Sequence, residues 1–221
     1  MNLLSGRWTK VAVFALSLVP LLLLGWRLFI FWRRGLGYDP DLTADPIAYI
    51  THYTGDWTIR FLLITLCVTP LRKLFNLPKL ARFRRMLGLF AFFYGFLHLL
   101  TWVWLDKFFD PNEMFKDVIK RRFITAGMTA FALMIPLAVT STAGWVRRLG
   151  FERWQRIHRL IYFSALAGVI HYYWLVKSDV RLPLLYGGIL AVLMIYRVNM
   201  WRRGAPKRRT VTTPNTAYLR D

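Results

Sequence analysis

The sequence predicts an all-α membrane protein, built as a bundle of six transmembrane helices. Of its 221 residues, 56% are hydrophobic and 17% aromatic, which is too apolar for a soluble domain of ordinary composition. Six segments approach the roughly 20 apolar residues that cross a bilayer. These predicted spans are residues 9–31, 53–71, 86–105, 123–142, 158–176 and 182–200.

The first apolar segment has the basic start of a secretory signal, since Arg7 and Lys10 precede it. It continues through Trp26 and Phe29 without a small-residue cleavage site, so we interpret it as a true span. We therefore divide the chain into three parts: a cytoplasmic N-terminus (residues 1–8), a membrane domain (9–200) and a basic cytoplasmic tail (201–221).

The basic residues are unevenly distributed between the two sides of the predicted bundle. The net charge is +20, from 31 Lys and Arg against 11 Asp and Glu. If both termini are cytoplasmic, that side holds 20 of the basic residues and only Glu152 and Asp221 among the acids. This is a strong positive-inside bias, which predicts insertion in a cell membrane with both termini inside. The excess of positive charge therefore reflects membrane topology and not binding to nucleic acid.

Two histidines lie at the same depth in the third and fifth spans. His98 follows Arg85 by 13 residues, and His171 follows Arg159 by 12. At ~1.5 Å per residue, both are ~18–20 Å from the cytoplasmic end, in the outer half of the membrane. Two imidazoles at one depth on two helices are typical of bis-histidine ligation of a haem held between the helices.

The same pair of histidines would also fit a hydrogen-bonded contact between helices or a zinc site. Zinc is less favoured because no third ligand of the right type shares the depth. The neighbouring aromatic runs, "FFYGFLHLLTWVW" and "HYYW", could wall a porphyrin, and they favour the haem interpretation.

His158 lies 13 residues before His171, which is ~20 Å nearer the cytoplasm along a helix. A partner from the third span would come near residues 84 and 85, where this chain has Arg84 and Arg85. Three interpretations of His158 stay open: an unpaired ligand, a contact of an inner cofactor, or an interfacial residue.

Charged residues at the outer ends of the spans are candidates for contacts with haem propionates. Arg60, Arg121 and Arg122 lie at a suitable height, although each also fits an ordinary helix-end charge. Asp56 and Arg60 are one helical turn apart and are expected to pair. His52 is interpreted as an exposed interfacial residue.

The loop after the third span contains four acids, which predict a weak and salt-sensitive docking surface for a redox partner. They are Asp106, Asp110, Glu113 and Asp117.

Several segments together resemble a known family. They are "RRMLGLFAFFYGFLHLLTW", "TAGMTAFALMIPLAVTST", "RRLGFERWQRIHRLIYF" and "GVIHYYWLVKSD", with "HYTG" at residues 52–55. In this order they resemble the MsrQ family (also called YedZ), over about residues 35–200. MsrQ proteins belong to the wider ferric-reductase-like transmembrane group. The family's Arg-Pro-Tyr before the fourth span reads Arg121-Arg122-Phe123 here.

The resemblance implies an electron-transfer subunit of the bacterial inner membrane, and not a catalytic subunit. Such a protein takes electrons from membrane quinones and passes them to MsrP, a periplasmic molybdopterin enzyme that reduces methionine sulfoxide in oxidised proteins. It implies b-type haem, one or two per chain, together with FMN. The family's haem histidines fall on His98, His158 and His171. No FMN or quinone motif is readable in the sequence.

Two other functions remain as alternatives. A ferric or other metal reductase of the same fold usually needs an appended flavin and nicotinamide domain, and the chain ends some 20 residues after the last span. A transporter or assembly subunit would carry the histidines without a redox cofactor.

Overall fold

The computed structural model describes residues 6–34, 42 and 45–203, and this part of the chain is helical with no strand. The first five residues and most of the predicted basic tail lie outside the described residues. Each of the six predicted spans coincides with helical structure, so the all-α prediction is confirmed.

The helices are α1 (Arg7–Arg34), α2 (Pro46–Leu74), α3 (Ala81–Thr101), α4 (Pro111–Lys120), α5 (Arg122–Val139), α6 (Ala143–Leu149), α7 (Phe151–His158), α8 (Leu160–Leu175) and α9 (Arg181–Arg203). A 3-10 turn at Pro78–Leu80 precedes α3, and a π-helical stretch at Trp102–Asp106 extends it. The short helices α4, α6 and α7 lie where the sequence predicted only connections.

Within the described part of the chain, four helices are long and apolar enough to cross a membrane: α1, the continuous segment Pro78–Asp106, α5, and α9 as far as Arg202. Helix α2 is less apolar because Asp56 and Arg60 lie within its predicted span, and α8 has only 16 residues. The apolar helices therefore identify the chain as a membrane protein, whereas the number of six spans stays a prediction.

Side-chain caps fix where several helices begin. The Asp45 side chain accepts a hydrogen bond from the Ala48 N–H, and Pro46 occupies the first turn of α2. Asp110 caps α4 in the same way, again with a proline following, and Thr142 caps α6. Because a cap satisfies N–H groups that have no partner within the helix, these residues set the helix starts at the surface.

The bundle is organised around two closely packed helix pairs. Helix α2 packs along α3, and α5 packs along α8; α9 closes the bundle against α8 and α2, and α1 lies against α3. The core between them is apolar, with Leu62, Leu66, Ala91 and Ala165 almost fully buried. This pairing brings the third and fifth predicted spans to opposite sides of one interior space.

Helix α1 is attached to this core by a tyrosine hydroxyl near Pro20. The buried Tyr94 hydroxyl donates to the Ser17 carbonyl at 2.9 Å and accepts from the Leu21 N–H at 3.2 Å. Those two backbone groups are four residues apart, so the hydroxyl inserts into the hydrogen-bond ladder of α1. A side chain of α3 thereby ties α1 to the bundle.

Candidate cofactor site between four helices

His98 and His171 face each other across the interior of the bundle. Their ring centroids are 5.9 Å apart, and the ring planes cross at 76°. His98 is supplied by α3 and His171 by α8, so the structure brings the two predicted ligands side by side.

Each imidazole uses its Nδ1 atom to contact a backbone carbonyl of the helix paired with its own. His98 Nδ1 lies 2.8 Å from the Thr51 oxygen, and His171 Nδ1 lies 2.6 Å from the Phe123 oxygen. A carbonyl only accepts hydrogen bonds, so Nδ1 must carry the proton in both rings. The Nε2 atoms are then unprotonated and available as ligands, as in metal sites where a second hydrogen bond fixes the tautomer.

The rings lie in a cavity of about 490 Å³ between α2, α3, α5 and α8. This volume is within the range of small-molecule and cofactor sites. Its walls are mainly apolar, including Ile59, Leu99, Met128 and Phe131. We call it the outer cavity. An apolar slot with two imidazole nitrogens available at one level fits the donor set of a planar metal cofactor such as haem.

The aromatic walls differ in part from those expected. Trp102 and Tyr172 line the outer cavity, but Trp104, Tyr173 and Trp174 are about half exposed and point away from the interior. Helix α5 supplies Phe123 and Phe131 in their place. Helical periodicity explains the difference, because consecutive aromatic residues on a helix cannot all face one side.

The outer cavity opens at exposed charged residues. Asp45, His52, Asp106 and Arg121 lie at this mouth, so the exposed position predicted for His52 agrees with the structure. Arg121 also forms an ion pair with Asp117 at 3.3 Å.

Arg60 makes the predicted pair with Asp56, at 3.1 Å. Its Nε atom also donates to the Tyr186 hydroxyl at 2.9 Å, and its guanidinium lies over the Trp57 ring. Arg60 is absent from the described residues that line the outer cavity, whereas Asp56 lines it.

The acids of the outer loop are largely used within the protein. Asp117 is buried and lies 2.7 Å from Lys107, whose pKa is raised because it donates a hydrogen bond to that carboxylate. Asp110 caps α4, and Glu113 pairs with Lys116. Because Asp117 ties α4 to Lys107 and Asp110 caps α4, reversing all four charges would disturb the fold as well as any docking surface.

A second cavity, of about 530 Å³, lies at the other end of the bundle, and we call it the inner cavity. His158 lines it together with three arginines, Arg84, Arg85 and Arg147. The His158 ring lies against Trp154, with centroids 4.0 Å apart. Of the three interpretations left open for His158, a contact of an inner cofactor fits this cavity, and Arg84 and Arg85 lie at its level as expected; Arg147 was not anticipated.

A thin apolar wall separates the two cavities. Leu62 and Met134 line both of them, and both side chains are buried. Beside them, Phe92 of the inner cavity stacks on Phe131 of the outer cavity, with centroids 5.3 Å apart. The bundle therefore contains two compartments in series along its length.

The chain is similar to known membrane proteins along most of its length. Residues 54–169 match the family described as "Ferric reductase like transmembrane component". The chain is 50% identical over 201 residues to the protein-methionine-sulfoxide reductase heme-binding subunit MsrQ of Xanthomonas campestris pv. campestris strain 8004, covering 91% of this chain and 89% of that protein. The subunit of the same name from Herminiimonas arsenicoxydans is 53% identical over 186 residues, covering 83% and 85%.

Proposed function

Because the chain belongs to the MsrQ family, within the ferric-reductase-like transmembrane proteins, we propose that it is a membrane electron-transfer subunit of a methionine sulfoxide reductase system. It takes electrons from the quinone pool and passes them through b-type haem to a periplasmic molybdopterin reductase of the MsrP type. That partner reduces methionine sulfoxide in oxidised periplasmic proteins. The observation that carries the proposal is the pair of facing imidazoles in the outer cavity.

His98 and His171 would hold the haem iron through their Nε2 atoms. When bound, haem supplies a one-electron couple, and its potential depends on the axial ligands and their hydrogen bonds. This chain's own contribution is to keep both Nδ1 protons on the Thr51 and Phe123 carbonyls. Arg121, at the mouth of the outer cavity, is the candidate contact for a propionate.

Replacing either ligand should remove the low-spin haem. We expect His98→Ala and His171→Ala each to lose the six-coordinate visible spectrum, because one imidazole cannot complete the axial pair. His52→Ala is the matched control and should keep the spectrum, since His52 is exposed at the cavity mouth. A normal spectrum in both ligand variants would contradict the assignment. A colourless wild-type protein would favour a transporter.

The outer cavity opens toward the face where a periplasmic partner would dock. Its mouth includes Asp106 and Arg121 of the outer loop, next to α4. A cofactor held there is close to the surface, so a docked protein could accept electrons without a diffusing carrier.

The identity of the electron acceptor distinguishes electron transfer to a periplasmic protein from reduction of a metal. We expect the chemically reduced protein to be reoxidised by the periplasmic reductase supplied with methionine sulfoxide, and much more slowly by a ferric chelate. The measurement is the loss of the reduced haem band in stopped flow, with partner lacking its molybdenum cofactor as the control. Fast reoxidation by the chelate, without response to the partner, would instead indicate a ferric reductase.

The chain lies in the bacterial inner membrane with six spans and both termini cytoplasmic. Two observations support this orientation: the positive-inside bias, and the arginines that surround the inner cavity. The outer cavity then faces the periplasm.

Reporter fusions test the orientation. A fluorescent protein fused after residue 221 should fluoresce, whereas alkaline phosphatase inserted beside Pro111, before α4, should be active, because that enzyme matures only outside the cytoplasm. An active phosphatase fused at the C-terminus would show that the orientation is opposite to the one proposed.

The inner cavity is the site of the electron-accepting cofactor nearer the cytoplasm, and we assign FMN to it. Guanidinium groups bind phosphate with paired hydrogen bonds, and Arg84, Arg85 and Arg147 line this cavity. His158 and Trp154 supply a flat polar and aromatic wall. This role agrees with the interpretation of His158 as the contact of an inner cofactor.

Two neighbouring arginines provide a matched test. Arg147→Gln should weaken FMN binding by about 10- to 100-fold, because a charged hydrogen bond to phosphate is lost. Arg148→Gln is the control, since Arg148 lies over the Trp145 ring and away from the cavity. The measurement is FMN fluorescence quenching on titration of flavin-free protein. Equal FMN affinities in the two variants would show that the FMN phosphate does not bind in this cavity.

His158→Ala should slow reduction by quinol while leaving the outer haem spectrum intact, because His158 lines only the inner cavity. Loss of all haem in this variant would show that His158 belongs to the outer site or to folding.

A further inference from the structure

Two glycines lie directly beneath the two imidazoles of the outer cavity. A Cβ atom built on Gly55 would lie 3.0 Å from His98 Cε1, and one on Gly127 would lie 2.7 Å from His171 Nδ1. At both positions the three nearest atoms all belong to the histidine ring. The imidazoles therefore occupy the space that a side chain at either glycine would need.

Each glycine lies one helical turn after the residue whose carbonyl accepts a hydrogen bond from the histidine. Thr51 and Gly55 are four residues apart on α2, as are Phe123 and Gly127 on α5. In an α-helix the carbonyl of residue i accepts from the N–H of residue i+4, and the Cβ of residue i+4 tilts toward it. An imidazole that donates to the same carbonyl must therefore lie where that Cβ would be.

The helices that carry the histidines repeat the same pattern. Gly95 precedes His98 by three residues, and Gly168 precedes His171 by three. A Cβ on Gly95 would lie 3.3 Å from Thr58, and one on Gly168 would lie 3.5 Å from Ile59, both on α2. In the spacing of carbonyl, glycine and histidine, the α2–α3 pair and the α5–α8 pair form two similar half-sites, offset by 72 or 73 residues.

We infer that Gly55 and Gly127 are positioning residues, which set the orientation and tautomer of the haem ligands by letting each ring reach a helix carbonyl. The inference rests on the proposed haem ligation. Glycines in membrane helices also serve close packing between helix backbones. That role fits these two positions less well, because no atom of the neighbouring backbone is among the nearest contacts of either added Cβ.

The spectrum of alanine variants tests the inference. Gly127→Ala should weaken haem binding by about 10- to 100-fold, as is typical when the support of a metal ligand is lost. The haem that remains should show a changed low-spin EPR signal, because the 76° crossing of the rings is no longer held. Gly55→Ala should show a smaller change, since its clash is milder. Gly188→Ala is the control, because an added Cβ there meets nothing within 4 Å.

A double-mutant cycle separates positioning from a general effect on folding. Gly-to-Ala changes inside helices are normally stabilising. Gly127→Ala should therefore lower the Tm of the wild-type protein but leave unchanged or raise the Tm of the His171→Ala variant, in which the ring is absent. An equal loss in both backgrounds would overturn the inference and assign Gly127 to helix packing.

The outcomes distinguish this inference from the proposed function. A wild-type protein without low-spin haem would refute the ligation itself. A haem-loaded protein whose Gly55→Ala and Gly127→Ala variants keep the wild-type EPR signal and haem affinity would refute only the positioning role.

Discussion

The interior of the bundle depends on hydrogen bonds between imidazole rings and helix carbonyls that already belong to a helical ladder. In an apolar interior an imidazole N–H without a partner is costly, and two such rings face each other here. The carbonyls of Thr51 and Phe123 accept from the two rings in addition to their places in the helical ladders, so neither helix has to break. The proton of each ring is thereby directed away from the cavity, and the unprotonated nitrogen toward it.

This arrangement constrains the packing of the whole protein. A ring can reach a helix carbonyl only where the two helices are close and one residue lacks a side chain, which Gly55 and Gly127 provide. Helix α2 must then lie against α3, and α5 against α8, and these are the two most extensive helix pairs. The space left between the pairs becomes the outer cavity.

The sequence predicted the helices and the level of the histidines, because both follow from apolar length and from rise per residue. It did not predict α4 or α7, whose amphipathic turns are too short to stand out among loop residues. It wrongly predicted that Trp104 and Trp174 line the cavity, because the depth of a residue along a helix does not determine which side of the helix it faces. It left the role of His158 open among three interpretations, because Arg147 and Trp154 come from other helices than Arg84 and Arg85, and the cavity that they line together forms only on packing.

The two cavities differ in what they can hold, even though the pattern of the chain relates them. The offset of 73 residues that relates His98 to His171 also relates Arg85 to His158, and both of these line the inner cavity. One level of the bundle therefore offers two imidazoles, and the other offers one imidazole and a guanidinium. The first suits a metal between two neutral ligands, and the second suits an anion. Since Leu62 and Met134 line both cavities, a single layer of apolar side chains separates the two compartments while leaving them adjacent.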